Sequence, residues 1–109
     1  MKINILGQDY QIKKLSGKQC PKLDLVSADG MAELYSKTLI IHKHIMSESD
    51  GTEFDNMQGY ENQVIRHEIV HAYFHEAGLM NYCYDERLVD WIALQLPKMT
   101  KSMEKLGCL

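Results

Sequence analysis

The chain is poor in the residues that mark the less common protein classes. Two prolines and seven glycines in 109 residues are too few for a low-complexity segment, and 45% apolar with 25% charged content is that of a globular domain. The three cysteines, Cys20, Cys83 and Cys108, are odd in number and far apart, with no C-x-x-C spacing. That excludes a disulfide framework or a thiolate zinc knuckle and suits a reducing cytoplasm. No apolar run approaches the ~20 residues of a membrane span, and Met1-Lys2-Ile3-Asn4 breaks up too soon to be the apolar core of a signal peptide. Positive charge is not in excess either: twelve Lys and Arg stand against fifteen Asp and Glu, a net of −3. Neither nucleic acid nor membrane is therefore an expected partner. What remains is one domain over residues 1–109, long enough to bury roughly 60–70% of its unfolded surface without disulfide staples.

The pattern of apolar residues divides this domain into a sheet-forming first half and a helical second half. Ile3 and Ile5, then Tyr10 and Ile12, alternate with polar neighbours about Gly7-Gln8-Asp9 and predict a hairpin. After Cys20-Pro21, the stretch from Lys22 to Asp29 fits either a short strand or a helical turn. Met31 to Tyr35 and Thr38 to Ile45 predict a second strand pair about Ser36-Lys37, the latter strand rich in β-branched residues. Ser47 to Thr52 reads as a polar surface loop. The period then becomes helical from about Met57 to Ala77, with Gly78 placed for a left-handed cap. Because Ile65, Ile69 and Ala72 fall on one side of this helix and Val70 and Phe74 on another, it is expected at the centre of the fold. A further helix is predicted from about Asp85 to Leu96, with Leu88, Val89, Ile92, Ala93 and Leu96 as its apolar stripe. Pro97 is expected to end or kink it, leaving a weaker helical tail. The fold class is thus α+β, a small and mainly antiparallel sheet packed on a central helix with a second helix behind.

The chemistry lies in the central helix. His67-Glu68-Ile69-Val70-His71 is an H-E-x-x-H sequence, and residues four apart stand one turn apart on the same helix face, so both imidazoles can converge on one metal ion. Glu68 is turned by ~100° from His67, within reach of a water on that ion. A catalytic zinc site usually takes three protein ligands. His75 is eliminated as the third, because eight residues separate it from His67 by ~12 Å along the axis. Glu86 and Asp90 on the next helix are better placed. They share a face bordering the stripe that must pack on the central helix, so Glu86 can complete a His2Glu set while Asp90 accepts the second ring N–H of a ligand histidine.

His67-Glu68-x-x-His71 followed by Glu86-x-x-x-Asp90 resembles the gluzincin zinc metallopeptidases, over residues 60–96. The small size is similar to the compact minigluzincins and to metallopeptidase-like proteins of phages and mobile elements. The resemblance implies a zincin-like fold in which His67, His71 and Glu86 bind Zn2+, Glu68 is the general base toward a zinc-activated water, and Asp90 supports a ligand from behind. It also implies a peptide or protein substrate, paired along Thr38–Ile45 as the edge strand of the cleft. Larger members carry a further histidine or tyrosine that steadies the oxyanion, and by chemistry alone the candidates here are Tyr73, Tyr82 and Tyr84.

The main rival is a catalytically silent metal-binding domain that acts as a protein-interaction or regulatory module of a phage or mobile element. The opposite wall of a cleft could in either case come from a second copy or a larger complex. His75 is expected at the helix end, near the negative end of the dipole. His42 and His44 are expected at the surface, Trp91 and the Tyr82/Tyr84 pair in packing, and the seven methionines as core filler. Cys83 is expected to be an unreactive thiol.

Overall fold

The computed structural model describes residues 1–47 and 56–109, and of Met46 and Ser47 only the backbone. Strands β1 (Lys2–Ile5) and β2 (Gln8–Leu15) form the first hairpin, with Ile3 opposite Tyr10. Its turn is Leu6-Gly7, both at positive φ (49° and 92°), as a two-residue hairpin turn requires. The ambiguous stretch after β2 is a short helix, α1 (Pro21–Leu25), with Pro21 in its first turn and Leu23 buried against Cys20 and Ile40. Then come β3 (Gly30–Glu33) and β4 (Thr38–His42), antiparallel with Gly30 opposite Ile41.

The sheet order is β1-β2-β4-β3, and β4 runs parallel to β2. The sheet is therefore mixed, with two antiparallel pairings out of three. The expected role of Thr38–Ile45 as an edge strand is corrected by this order. β4 is interior, ends at His42, and passes Ile45 to a short helix α2 (His44–Ser47); β3 is the edge on that side and β1 the edge on the other. The reason lies in Leu39-Ile40-Ile41, an unbroken apolar run rather than an alternation, which suits a strand covered on both faces. Leu39 packs with Ala72 and Ile41 with Val64 on one face, while Ile40 meets Leu23 and Cys20 on the other. The loop expected over Ser47–Thr52 lies, beyond Ser47, outside the described residues.

Helix α3 (Met57–Glu76) crosses the sheet. It starts at Asn56, whose side chain accepts the Gly59 N–H at 2.9 Å, and Gly78 follows its end at φ 76°. Side-chain pairs pin it to the sheet at both ends: Lys14 of β2 meets the buried Glu61 at 2.8 Å, and Lys37 meets Glu76 at 2.6 Å. The buried Tyr10 hydroxyl donates to Glu76 as well. Between these anchors α3 presents Val64, Glu68, His71 and Ala72 inward, so polar ligand residues and core residues share one element.

After α3 a single-turn helix, α4 (Met80–Cys83), leads into α5 (Glu86–Leu106), capped by Asp85, which accepts the Leu88 N–H at 3.1 Å. The helix does not end at Pro97 but continues to Leu106. One lost backbone hydrogen bond is outweighed by the strong helix formers that follow, Lys98, Met99, Lys101 and Met103 to Leu106, and the helix stops at Gly107 with φ 82°. Nor is the stripe of α5 buried throughout. Val89 and Ala93 are fully buried, while Leu96 is 42% and Trp91 55% exposed, so Trp91 is not a packing residue. Met99 and Met103 are likewise outside the core.

Candidate metal centre

The H-E-x-x-H turn of α3 faces the start of α5, and three side chains meet there. His67 Nε2 and His71 Nε2 are 3.1 Å apart, and the Glu86 carboxylate reaches both, Oε2 to His67 and Oε1 to His71, each at 3.1 Å. The other ring nitrogens are committed. His67 Nδ1 donates to Asp90 Oδ1 at 2.7 Å, and His71 Nδ1 donates to the Cys83 carbonyl at 2.7 Å. A carbonyl or carboxylate oxygen only accepts, so each Nδ1 carries a proton and each Nε2 faces inward, free to ligate whenever the ring is neutral. Two ring nitrogens and a carboxylate thus converge on one point, where they could hold a metal ion.

That donor set fits a metal ion. Among the described residues His67, His71 and Glu86 are the one group of three or more metal-binding side chains whose ligand atoms lie within 4.8 Å of one another. Two nitrogens ~2.0–2.1 Å from a tetrahedral ion stand ~3.3 Å apart, close to the separation seen between the imidazoles. Burial holds the His71 pKa below its usual value, which keeps the ring in the neutral form that ligates.

Glu68 lies one step round the helix, in the same cleft but outside the donor triangle. It is 6% exposed, and burial, reinforced by the charges of Glu86 and Asp90, pushes its pKa up to about 8. A cation at the neighbouring imidazoles would act in the opposite sense, favouring the carboxylate. Its carboxylate is packed under β3. A Cβ on Gly30 would fall 2.8 Å from Glu68 Oε2 and 2.8 Å from Val64 Cγ1, so the strand can approach only because residue 30 has no side chain.

No family model, curated protein or solved structure matches the chain.

The cleft around these groups has a volume of about 590 Å³. Its walls are β3 with the loop before it, α3, and the start of α5, and its lining carries four carboxyl side chains, Asp29, Glu68, Glu86 and Asp90, with no Lys or Arg. Of the tyrosines singled out in the sequence, Tyr84 lines it and Tyr73 and Tyr82 do not. Tyr82 packs on Phe74 with ring centroids 5.9 Å apart. His75 stands away from the cleft in edge contact with Tyr35. His42 and His44 face a second cavity, where His42 meets Asp24 at 2.8 Å and His44 meets Asp29 at 2.6 Å. His42 is buried at 7% exposure rather than at the surface.

Four parts of the site were not signalled in the sequence. The Cys83 carbonyl and Gly30 act through backbone, which leaves no residue-type signature. Arg66 donates through Nε to the Ala93 carbonyl at 2.7 Å and ties α3 to α5. Tyr60 also lines the cleft, a helical repeat ahead of His67, and its hydroxyl donates to Asp29. Burial works against the Asp29 carboxylate, but the Tyr60 and His44 hydrogen bonds outweigh it and hold its pKa below the usual range.

Proposed function

We propose that the chain is a zinc-dependent metallopeptidase, with His67, His71 and Glu86 as the zinc ligands and Glu68 as the general base. The observation that carries this reading is the inward convergence of two Nε2 atoms and the Glu86 carboxylate beside a separate, buried carboxyl group. Zinc is favoured over harder cations by two imidazoles with one carboxylate, and when bound it polarises a carbonyl and acidifies water.

The remaining work falls to the chain's own groups. Asp90 and the Cys83 carbonyl hold the two imidazoles in the ligating tautomer. Glu68 takes a proton from the attacking water on its carboxylate and delivers it to the leaving amine nitrogen. The edge strand β3, which pairs only with β4 among the described residues, offers free backbone groups along the cleft for an extended peptide. With an acidic lining and no Lys or Arg in it, the cleft favours substrates that are neutral or basic near the scissile bond.

Elemental analysis of chelator-free protein tests the metal: about one zinc per chain is expected, lost in His67→Ala. Glu68→Gln tests the chemistry, since it should retain zinc and lose peptide hydrolysis. Hydrolysis of a proven substrate at the wild-type rate by Glu68→Gln would overturn the assignment. The exposed apolar side of α5 favours a second reading, a metal-stabilised interaction module, whose effect Glu68→Gln would leave intact.

A further inference from the structure

Pro97 deprives one carbonyl of α5 of its helical partner. In an α-helix the N–H of each residue bonds the carbonyl four residues back, and proline has no N–H to give. The carbonyl concerned is that of Ala93, a residue that is fully buried. A carbonyl buried without a donor is costly. This one has a donor from another helix: Arg66 Nε of α3 reaches it at 2.7 Å. Arg66 and Pro97 thus act as a pair, in which the proline frees an acceptor and the arginine takes it with a charge-assisted bond.

That bond can form in one register only. Every other carbonyl along the interior of α5 has the amide four residues on as its partner, and the unpartnered ones at the helix end lie in its last turn. Apolar contact at Val89 and Ala93 defines no such unique point, because burial is non-directional. The two helices run antiparallel, and three contacts follow in order: Glu86 with His71 and His67, Asp90 with His67, and the Ala93 carbonyl with Arg66. The side chains of Glu86 and Asp90 are each 66% exposed and can turn into solvent. The third contact holds backbone. A helix transmits an axial position along its length, so what is fixed at Ala93 reaches Glu86, seven residues and ~10 Å away. Metal–ligand distances hold to within ~0.2 Å, and a slide of α5 by even 1 Å would spoil the donor triangle.

We propose that Arg66 is a positioning residue of the metal centre: through the carbonyl freed by Pro97 it fixes how far α5 slides along α3, and so where Glu86 meets the two imidazoles. The inference rests on the reading of His67, His71 and Glu86 as metal ligands. The positive charge of Arg66 opposes a cation nearby, so its contribution to the site is through position.

Competition with a chelating dye for zinc, paired with thermal melts of the metal-free full chain, tests this. Arg66→Met removes the donor at similar length and should weaken zinc binding by about tenfold, whereas loss of charge alone would strengthen it. Arg66→Met/Pro97→Ala separates holding the register from satisfying the carbonyl, since the new N–H partners Ala93 from within the helix. This double variant should recover the melting temperature that Arg66→Met loses but not the zinc affinity. In a Glu86→Ala background Arg66→Met should change zinc binding much less than in the wild type, because the ligand it places is absent. Zinc binding at wild-type affinity by the double variant would overturn the positioning role and leave the metal ligands standing. An equal loss with and without Glu86 would overturn it as well. A wild-type chain that takes up no zinc would overturn the metal reading, and this inference with it. The double variant carries the test even where Arg66→Met alone does not fold, because its Ala93 carbonyl keeps a donor.

Discussion

Replacing Gly30 by alanine probes the closest approach in the site. On an ordinary strand residue the exchange would stabilise by about 0.4–1 kcal/mol, because alanine loses less backbone freedom on folding. Gly30 is not at positive φ, so no backbone strain opposes that gain. Packing reverses the sign. The new Cβ would lie 2.8 Å from Glu68 Oε2, 2.8 Å from Val64 Cγ1 and 3.1 Å from Glu68 Cγ. Overpacking of this kind costs about 1–3 kcal/mol, so the net expectation is a loss of about 1–2 kcal/mol. With a urea dependence of about 1–2 kcal/mol per molar, that lowers the unfolding midpoint by about 1 M. The same crowding displaces the Glu68 carboxyl group, and a shift of about 1 Å in a proton-transfer group lowers kcat by about a hundredfold. Zinc content should hold, because Gly30 does not touch His67, His71 or Glu86 in the donor triangle. Urea titration followed by fluorescence from Trp91, with elemental analysis and a peptide assay alongside, reads all three quantities. A Gly30→Ala protein as stable as the wild type and equally active would refute the packing of Glu68 beneath β3.

Other consequences can be measured in the metal-free protein and in its complexes with zinc. Glu68 has a folded-state pKa of about 8 against an ordinary 4.5, so the folded state holds its proton over a range in which the unfolded state has released it. Stability of the chelated protein should fall as pH rises between those values, by up to about 1.4 kcal/mol per pH unit from this group. Glu68→Gln should therefore stabilise the metal-free protein more at pH 8 than at pH 5 in urea unfolding, and an equal gain at both would contradict the desolvation argument. Asp90→Asn should weaken zinc binding by about 10–100-fold in competition with a chelator dye, because the His67 ring loses the carboxylate that orients it. The fold should be unaffected, since the Asp90 side chain is 66% exposed. Glu86→Ala should weaken zinc more than Asp90→Asn does, and the reverse order would mean that Glu86 is not a ligand.

The helical part of the site was legible because its geometry is local. His67 and His71 share a face through the helical repeat alone, and Glu86 and Asp90 do so on the next helix, so their meeting needed only that two apolar stripes pack together. The cap after α3 was legible for the same reason: Gly78 stands at the turn that follows it. Pro97 shows the limit of such local rules, since its cost was known but not the sum of the helix formers beyond it. The strands show another limit. Hairpin pairing between neighbours was readable from alternation, whereas the insertion of β4 between β2 and β3 depends on which strand has both faces covered, and that is a property of the packed chain.

Composition, helical period and the spacing of His67, Glu68, His71, Glu86 and Asp90 determined by themselves the α+β class and the group of side chains that could hold a metal ion. Tertiary structure alone decided that β3 and not β4 borders the cleft, that Gly30 lets a strand lie on Glu68, and that the Cys83 carbonyl sets the tautomer of His71. It also decided that the stripe on α5 is buried at Val89 and open from Leu96 onward. Side-chain spacing along one helix follows from a fixed rise and turn per residue. Burial, backbone contacts and strand order are set by what other parts of the chain bring alongside, and those distances are not written in any local pattern.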